Sequence, residues 1–131
     1  MTLKSPPVEK GRLVKPTRSD APPPDSRYPA FSLQHLKRSH CITKCTTKEQ
    51  AAFAKKIRIL TQMTWAQIKQ SHRHKNGTEI LADLTPKLPS AANGEHAMVF
   101  RFSGMAPMIG FRSDNVFYVV WFDPKMKLYK H

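Results

Sequence analysis

The stretch that decides the fold is MVFRFSGMAPMIGFRSDNVFYVVWF, residues 98–122, because it contains three short strand patterns in a row. In its first part, apolar side chains alternate with a period of two, which is typical of a strand with one buried face. That alternation places Arg101 on the side opposite to Phe100 and Phe102. Both a solvated strand residue and a functional side chain are consistent with this position.

Two turns separate the three strand patterns. Gly104 and Pro107 predict the first turn, because glycine tolerates positive φ and proline cannot donate to a β-ladder. The second strand covers residues 108–112, and the polar residues 113–115 predict the second turn. Residues 116–122 are apolar throughout and mainly β-branched or aromatic, which favours a strand covered on both faces. We therefore expect an antiparallel meander whose last strand is its hydrophobic centre.

Two helices are predicted before the meander. Thr46 and Thr47 each stand three residues before a Glu or Gln, which is the spacing of a capping box. Thr64 is expected to cap a second, shorter helix with Trp65 and Ile68 on its inner face. The apolar residues that recur at helical spacing in the first helix are Ala52, Phe53, Ile57, Leu60 and Met63. We expect the two helices to form a hairpin that covers one face of the sheet.

The N-terminal residues differ in composition from the rest of the chain. Residues 1–30 are rich in proline and basic residues and show no apolar period, which predicts a disordered basic tail. Residues 31–131 are expected to form a single α+β domain. Its first segment, residues 31–36, fits either a short edge strand or a turn of helix.

The net charge of the chain indicates which classes of partner it favours. The 131 residues include 22 Lys and Arg against 9 Asp and Glu, a net charge of +13. A charge of this size favours nucleic acid, an acidic protein or an anionic membrane surface. No apolar run approaches the roughly 20 residues that a membrane-spanning helix needs, and the N-terminal residues lack the apolar core of a signal peptide. We therefore expect no membrane association and a cytoplasmic location.

Cys41 and Cys45 do not form a disulfide framework. Together with His72 and His74 they are four residues of the types that bind zinc, but their spacing matches no standard zinc site. We expect neither a metal nor another cofactor, and a zinc-assisted module is the less favoured alternative.

Several chemistry-bearing residues are expected to converge on the predicted sheet. They are His72, Arg73, His74, Lys75, Glu79, Arg101, Arg112, Tyr129, Lys130 and His131. A metal-free ribonuclease needs this kind of inventory. It uses a base for the 2′-hydroxyl proton, an acid for the leaving 5′-oxygen and guanidinium groups for the phosphorane charge.

The order of elements resembles the RelE/ParE toxin superfamily over roughly residues 47–131. The segments that carry the resemblance are NGTEIL, VFRFS, MIGFR and FYVVWFDPKMKLYKH. Proteins of this superfamily are small and basic and act in bacterial toxin–antitoxin pairs. Its YoeB-like members are ribosome-dependent mRNA endonucleases.

The resemblance implies roles for individual residues. Glu79 corresponds to the base, Arg101 and Arg112 to phosphate binders, and Tyr129 or His131 to the acid. The RNA-binding residues would be His72, Arg73, His74, Lys75 and Lys130. The implied partners are mRNA on the ribosome, with its rRNA, and a cognate antitoxin protein.

Two classes of function stay open. The first is the toxin of a type II toxin–antitoxin pair, which cleaves mRNA by metal-free transesterification from the 2′-hydroxyl. The alternative is a non-catalytic basic binding module, either an RNA-binding protein or a ParE-like gyrase inhibitor, which would use the same charge for phosphate contacts or for steering.

Overall fold

A computed structural model describes residues 23–129 of the chain. In this range the helices and strands are β1 (Ala30–Ser32), α1 (Thr47–Leu60), α2 (Trp65–Gln70), β2 (Glu79–Leu81), β3 (Ala97–Ser103), β4 (Ala106–Ser113) and β5 (Val116–Phe122). Single 3₁₀ turns occur at Pro24–Ser26, Arg38–His40, Ile42–Lys44 and Ser90–Ala92. The expected α+β class is confirmed.

The strands form one five-stranded sheet in the order β1-β5-β4-β3-β2. The pairs β2–β3, β3–β4 and β4–β5 are antiparallel, as the meander predicts, but β1 and β5 pair in parallel. This pair corrects the expectation of a wholly antiparallel sheet. It is possible because the chain passes through both helices and the other strands between β1 and β5, and parallel neighbours require such a long connection.

The last strand of the meander is interior but not central. β5 lies between β1 and β4, and β4 occupies the middle of the sheet. In β5, residues Val119, Val120, Trp121 and Phe122 are all buried, so this strand is covered on both faces as expected. Residues 30–32 form the edge strand that was one of the two predictions for this segment.

The two helices cover one face of the sheet. Thr46 and Thr64 are the N-caps, and in each case the capping box is complete, with Glu49 and Gln67 as the reciprocal partners. The cluster beneath the helices contains Leu60, Trp65, Ile68, Phe100, Phe102, Met108, Phe117, Val119 and Phe122. The predicted inner face of the second helix is therefore confirmed.

The opposite face of the sheet is also buried, which corrects the expectation of one buried face for β3. The loop at residues 82–96 and the C-terminal residues 128–129 pack on it. Members of this second cluster are Leu81, Ala92, Ala97, Val99, Ile109, Phe111, Val120, Trp121 and Tyr129. Arg101 lies on this covered face and is only 4% exposed, so it is not a solvated strand residue.

Part of the predicted tail belongs to the folded domain. Arg112 donates a hydrogen bond to Asp25 at 2.7 Å, and Arg27 donates two hydrogen bonds to Asp114 at 3.0 and 2.9 Å. These ion pairs tie the segment before β1 to β4 and to the turn after it. Residues 25–30 therefore contact the domain that was predicted to begin at residue 31, and residues 1–22 of the predicted tail lie outside the described residues.

A β-bulge between β4 and β5 requires a glycine. Ile109 pairs with Trp121 and Gly110 with Val119, which leaves Val120 as the extra residue on β5. A Cβ atom at Gly110 would lie 1.8 Å from the backbone oxygen of Tyr118 on the neighbouring strand. No side chain fits there without a shift of the backbone.

We expect Gly110→Ala to lower the free energy of unfolding by about 3 kcal/mol, because overpacking against backbone cannot relax by a rotamer change. Urea unfolding measures the loss. Gly94→Ala is the matched control, since its Cβ would meet nothing within 4 Å and only the left-handed φ of +83° is strained, at a cost of about 1 kcal/mol. Equal losses in the two variants would contradict the steric explanation.

Candidate functional site

The basic turn at residues 71–77 is closed by its own backbone. The N–H groups of Lys75 and Gly77 both donate to the carbonyl oxygen of His72, at 2.9 and 3.0 Å. A Cβ atom on Gly77 would lie 2.1 Å from the carbonyl oxygen of Ser71, so the turn closes this tightly only with glycine. The turn holds its basic side chains at the edge of the sheet, directly before β2.

Strand pairing brings Glu79 and Arg101 together. Glu79 begins β2 opposite Val99 of β3, and Arg101 lies two residues further along β3, on the same face. The Arg101 Nη2 donates to Glu79 Oε1 at 3.1 Å, and its Nη1 donates to the carbonyl oxygen of Met105 at 2.9 Å. The Arg101 side chain is 5% exposed and that of Glu79 32%. The guanidinium is therefore fixed in direction, while the carboxylate remains accessible to solvent.

A chain reversal after β5 brings Tyr129 to the same face. The carboxylate of Asp123, itself buried, accepts hydrogen bonds from the N–H groups of Lys127 and Leu128 at 3.1 and 2.9 Å. Met126 has a left-handed φ of 57°, and its N–H donates to the Asp123 carbonyl oxygen at 2.9 Å. The reversal thereby packs Tyr129 into the second apolar cluster.

These three segments surround one cleft of about 230 Å³, which we name the Arg101 cleft. Its lining residues are Arg73, His74, Glu79, Arg101, Met105, Met126 and Tyr129. The cleft combines a carboxylate, two guanidinium groups, an imidazole and a phenol. Such groups can transfer protons and stabilise negative charge on a bound anion.

The charge state of the Arg101 cleft follows from its geometry. Arg73 Nε lies 4.0 Å from Glu79 Oε1, so the carboxylate faces two guanidinium groups. Burial raises the pKa of the Tyr129 phenol, although the positive charge of Arg101 acts in the opposite direction. Partial desolvation lowers the pKa of the His74 imidazole, and the charges of Arg73 and Arg101 lower it further. At neutral pH the cleft therefore holds a neutral phenol and a neutral imidazole beside the ion pair.

The structure places the candidate residues in different positions relative to this cleft. Those that line it are Arg73, His74, Glu79, Arg101 and Tyr129. His72 lies beside it, with its ring centroid 5.1 Å from that of His74, and Lys75 is exposed on the same turn. Lys130 and His131 lie outside the described residues.

Arg112 does not join the Arg101 cleft. Its guanidinium carbon lies 4.1 Å from the ring centroid of Trp65, on the face that the helices cover. Arg101 lies on the opposite face together with Val99. The resemblance implies that both arginines bind phosphate, but the sheet separates them and only Arg101 lines this cleft.

Three contributors to the cleft were not among the sequence candidates: Met105 and Met126, which line it, and Asp123, which acts through the reversal. Met105 contributes its carbonyl oxygen to Arg101, which residue type does not reveal. Asp123 holds the reversal that positions Tyr129. The Asp-Pro pair after an apolar strand indicates a turn, but it does not show which backbone groups the carboxylate binds.

The zinc alternative does not assemble. Cys41 and Cys45 line one cleft, and neither His72 nor His74 lines it. His74 lines the Arg101 cleft instead. Within residues 23–129, no group of three or more His, Cys, Asp or Glu side chains is arranged to hold a metal ion. In the same range no helix is long and apolar enough to span a bilayer.

No protein-family model, no curated protein and no solved structure matches this chain.

We expect Asp123→Ala to lower the free energy of unfolding by about 3 kcal/mol, because two backbone N–H groups lose a charged acceptor. Limited proteolysis should then cut preferentially after Lys125 and Lys127. Asp83→Ala is the matched control, since Asp83 is exposed and accepts no hydrogen bond among the described residues. Wild-type stability and an intact C-terminal segment in Asp123→Ala would show that the carboxylate does not hold the reversal.

The raised pKa of Tyr129 predicts a loss of stability at high pH. Above about pH 10, the phenol ionises first in the unfolded chain, so the free energy of unfolding falls until the folded phenol also ionises. Urea unfolding across this range should show a shallower decline for Tyr129→Phe than for the wild type. Tyr28→Phe, which changes an exposed ring, should follow the wild-type curve; identical curves for all three proteins would refute the prediction.

Proposed function

We propose that this protein is an mRNA endonuclease that acts at the ribosome, as the toxin of a type II toxin–antitoxin pair similar to the RelE/ParE superfamily. The observation that carries the proposal is the composition of the Arg101 cleft. Segments far apart in the chain supply a fixed guanidinium, an accessible carboxylate and a phenol to one cleft. A purely structural ion pair would not need the phenol and the imidazole beside it.

The first chemical step is the attack of a ribose 2′-oxygen on the adjacent phosphorus. Glu79 is the base in this proposal, and its carboxylate takes the proton of the 2′-hydroxyl as the new O–P bond forms. Arg101 stabilises the charge of the phosphorane, since its guanidinium is held by Glu79 and by the Met105 carbonyl before the substrate arrives. Substrate binding shifts part of this contact from the carboxylate to the phosphate.

The second step is the departure of the 5′-oxygen, which needs a proton. Tyr129 is the acid in this proposal, because burial raises the pKa of its phenol and keeps the proton in place at neutral pH. Bond cleavage then leaves a 2′,3′-cyclic phosphate on one product and a 5′-hydroxyl on the other. The phenolate regains its proton from the carboxyl group of Glu79 through solvent, which restores both groups.

The charge of the chain supports both proposed partners. A net charge of +13 attracts the phosphates of mRNA and rRNA, and it equally favours an acidic antitoxin that covers the basic cleft. An antitoxin seated on the Arg101 cleft would inhibit cleavage by exclusion of RNA.

One observation favours the alternative of a non-catalytic basic module. In the free protein, Arg101 already has two partners and is buried, so the ion pair can be explained by the stability of β2 and β3 alone. In that case the cleft would bind a phosphate or an acidic protein surface without chemistry.

We expect Arg101→Ala to reduce the rate of RNA cleavage by roughly 100-fold, because a single preorganised donor to the transition state is lost. Primer extension on a reporter mRNA in a cell-free translation system detects the new 5′ ends. Cleavage should require translating ribosomes, and Glu79→Gln should lower its rate in the same direction. Circular dichroism establishes that each variant is folded.

Arg58→Ala is the matched control, since Arg58 is an exposed residue of α1. Its cleavage rate should equal that of the wild type. Intact mRNA and normal translation with the wild-type protein would exclude the endonuclease and leave the binding module. A loss of less than tenfold in folded Arg101→Ala would remove Arg101 from the chemistry.

A further inference from the structure

A second basic cleft lies next to the Arg101 cleft, on the other side of the chain reversal. We name it the Lys125 cleft; its volume is about 250 Å³, and its basic residues are His40, Lys44, Lys125 and Lys127. The 3₁₀ turns at Arg38–His40 and Ile42–Lys44 form one wall, and the reversal after β5 forms the other. The first wall precedes residue 47 and so lies outside the part of the chain that resembles a known family.

The positive charge of the Lys125 cleft is not neutralised by the described part of the protein. Lys44, Lys125 and Lys127 are exposed, and within residues 23–129 no carboxylate lies within 4.0 Å of their ammonium groups. Asp123 also lines the cleft, but its two oxygens accept hydrogen bonds from backbone N–H groups.

The surroundings of Arg112 differ from the Lys125 cleft in this respect. There, Asp25 accepts hydrogen bonds from both Lys69 and Arg112, at 2.6 and 2.7 Å, so the basic side chains already have an anionic partner. These contacts lower the pKa of Asp25, which is the expected effect of two cations on a carboxyl group. Uncompensated lysines around a concave surface instead attract an external anion.

The two clefts share the segment between them. Lys125 and Lys127 line the Lys125 cleft, and Met126, between them in sequence, lines the Arg101 cleft. Neighbouring Cα atoms are only about 3.8 Å apart. The Lys125 cleft is also lined by Cys45 and Phe122 of the cluster beneath the helices, so the two clefts open from this segment toward different faces of the sheet.

We propose that the Lys125 cleft binds the phosphodiester backbone of a single-stranded RNA. This inference rests on the proposed function and adds a subsite to it. Lysine ammonium groups contact phosphates without reading bases, so the subsite contributes affinity and register but no base preference.

The test measures the binding of a fluorescein-labelled 2′-O-methyl oligouridylate by fluorescence anisotropy over a series of KCl concentrations. The methyl group removes the attacking hydroxyl, so binding is observed without cleavage. Lys125→Gln/Lys127→Gln should reduce the slope of log Kd against log[KCl] by about 1.4, because each contact to a single-stranded phosphate contributes about 0.7. The change removes two exposed side chains, and urea unfolding should show unchanged stability.

Lys55→Gln/Lys87→Gln is the control, since it removes the same charge from exposed positions elsewhere. Its salt slope should equal that of the wild type. Equal slopes for both double variants would overturn the subsite. Stronger competition by polyglutamate than by unlabelled oligouridylate would also overturn it, since the cleft would then be a binding site for an acidic protein.

Cys41 provides a second readout inside the same cleft. A hydrogen bond with the Thr43 side chain lowers the pKa of the half-buried Cys41 thiol, whereas burial raises the pKa of Cys45. Iodoacetamide should therefore label Cys41 first, and saturating oligouridylate should slow this labelling at least several-fold. An unchanged rate under saturation would overturn the subsite.

The two proposals fail in distinguishable ways. If reporter mRNA is cleaved but the lysine variants match their control, the subsite is refuted and the endonuclease stands. If the salt slope and the Cys41 protection follow the prediction but mRNA stays intact, the Lys125 cleft is an RNA-binding site on a protein without nuclease activity.

Discussion

The carboxylate of Asp123 determines how the second face of the sheet is closed. It is buried at the end of β5 and accepts hydrogen bonds from two successive backbone N–H groups. Without a charged acceptor, those donors would be left unsatisfied next to an apolar cluster, which is costly. The reversal that results brings Tyr129 over the sheet, and Leu128 accepts a hydrogen bond from the N–H of Thr85 in the covering loop.

Several features of the molecule follow from this reversal. Arg101 is buried because Tyr129 and the loop at residues 82–96 cover the face of the sheet on which Arg101 lies. The Arg101 cleft lies on one side of the reversal and the Lys125 cleft on the other. One intramolecular contact thus supports the fold and both candidate binding surfaces. Exposed ion pairs elsewhere, such as Arg27 with Asp114, contribute at most about 1 kcal/mol each.

Burial alone does not distinguish Arg112 from Arg101, the arginine proposed to be functional. The Arg112 side chain is 14% exposed and that of Arg101 5%, and each contacts a carboxylate. They differ in what surrounds the ion pair. Arg112 packs on the Trp65 ring and fastens the segment before β1, whereas Arg101 faces a cleft with a phenol and an imidazole. The phenol and the imidazole, rather than the guanidinium, are what distinguish the surroundings of Arg101 and underlie the proposed chemistry.

The sequence by itself determined the local structure. Capping boxes at Thr46 and Thr64, the turn residues and the apolar runs specify the two helices and the meander, because these signals act between residues close in the chain. Residue types also identified Glu79, Arg101 and Tyr129 as candidates. Only the tertiary structure decided that β1 joins β5 in parallel, that both faces of β3 are buried, and that Arg112 lies apart from Arg101. Those outcomes depend on strand register, on packing between distant segments and on backbone hydrogen bonds to Asp123, none of which is encoded in the spacing of neighbouring residues.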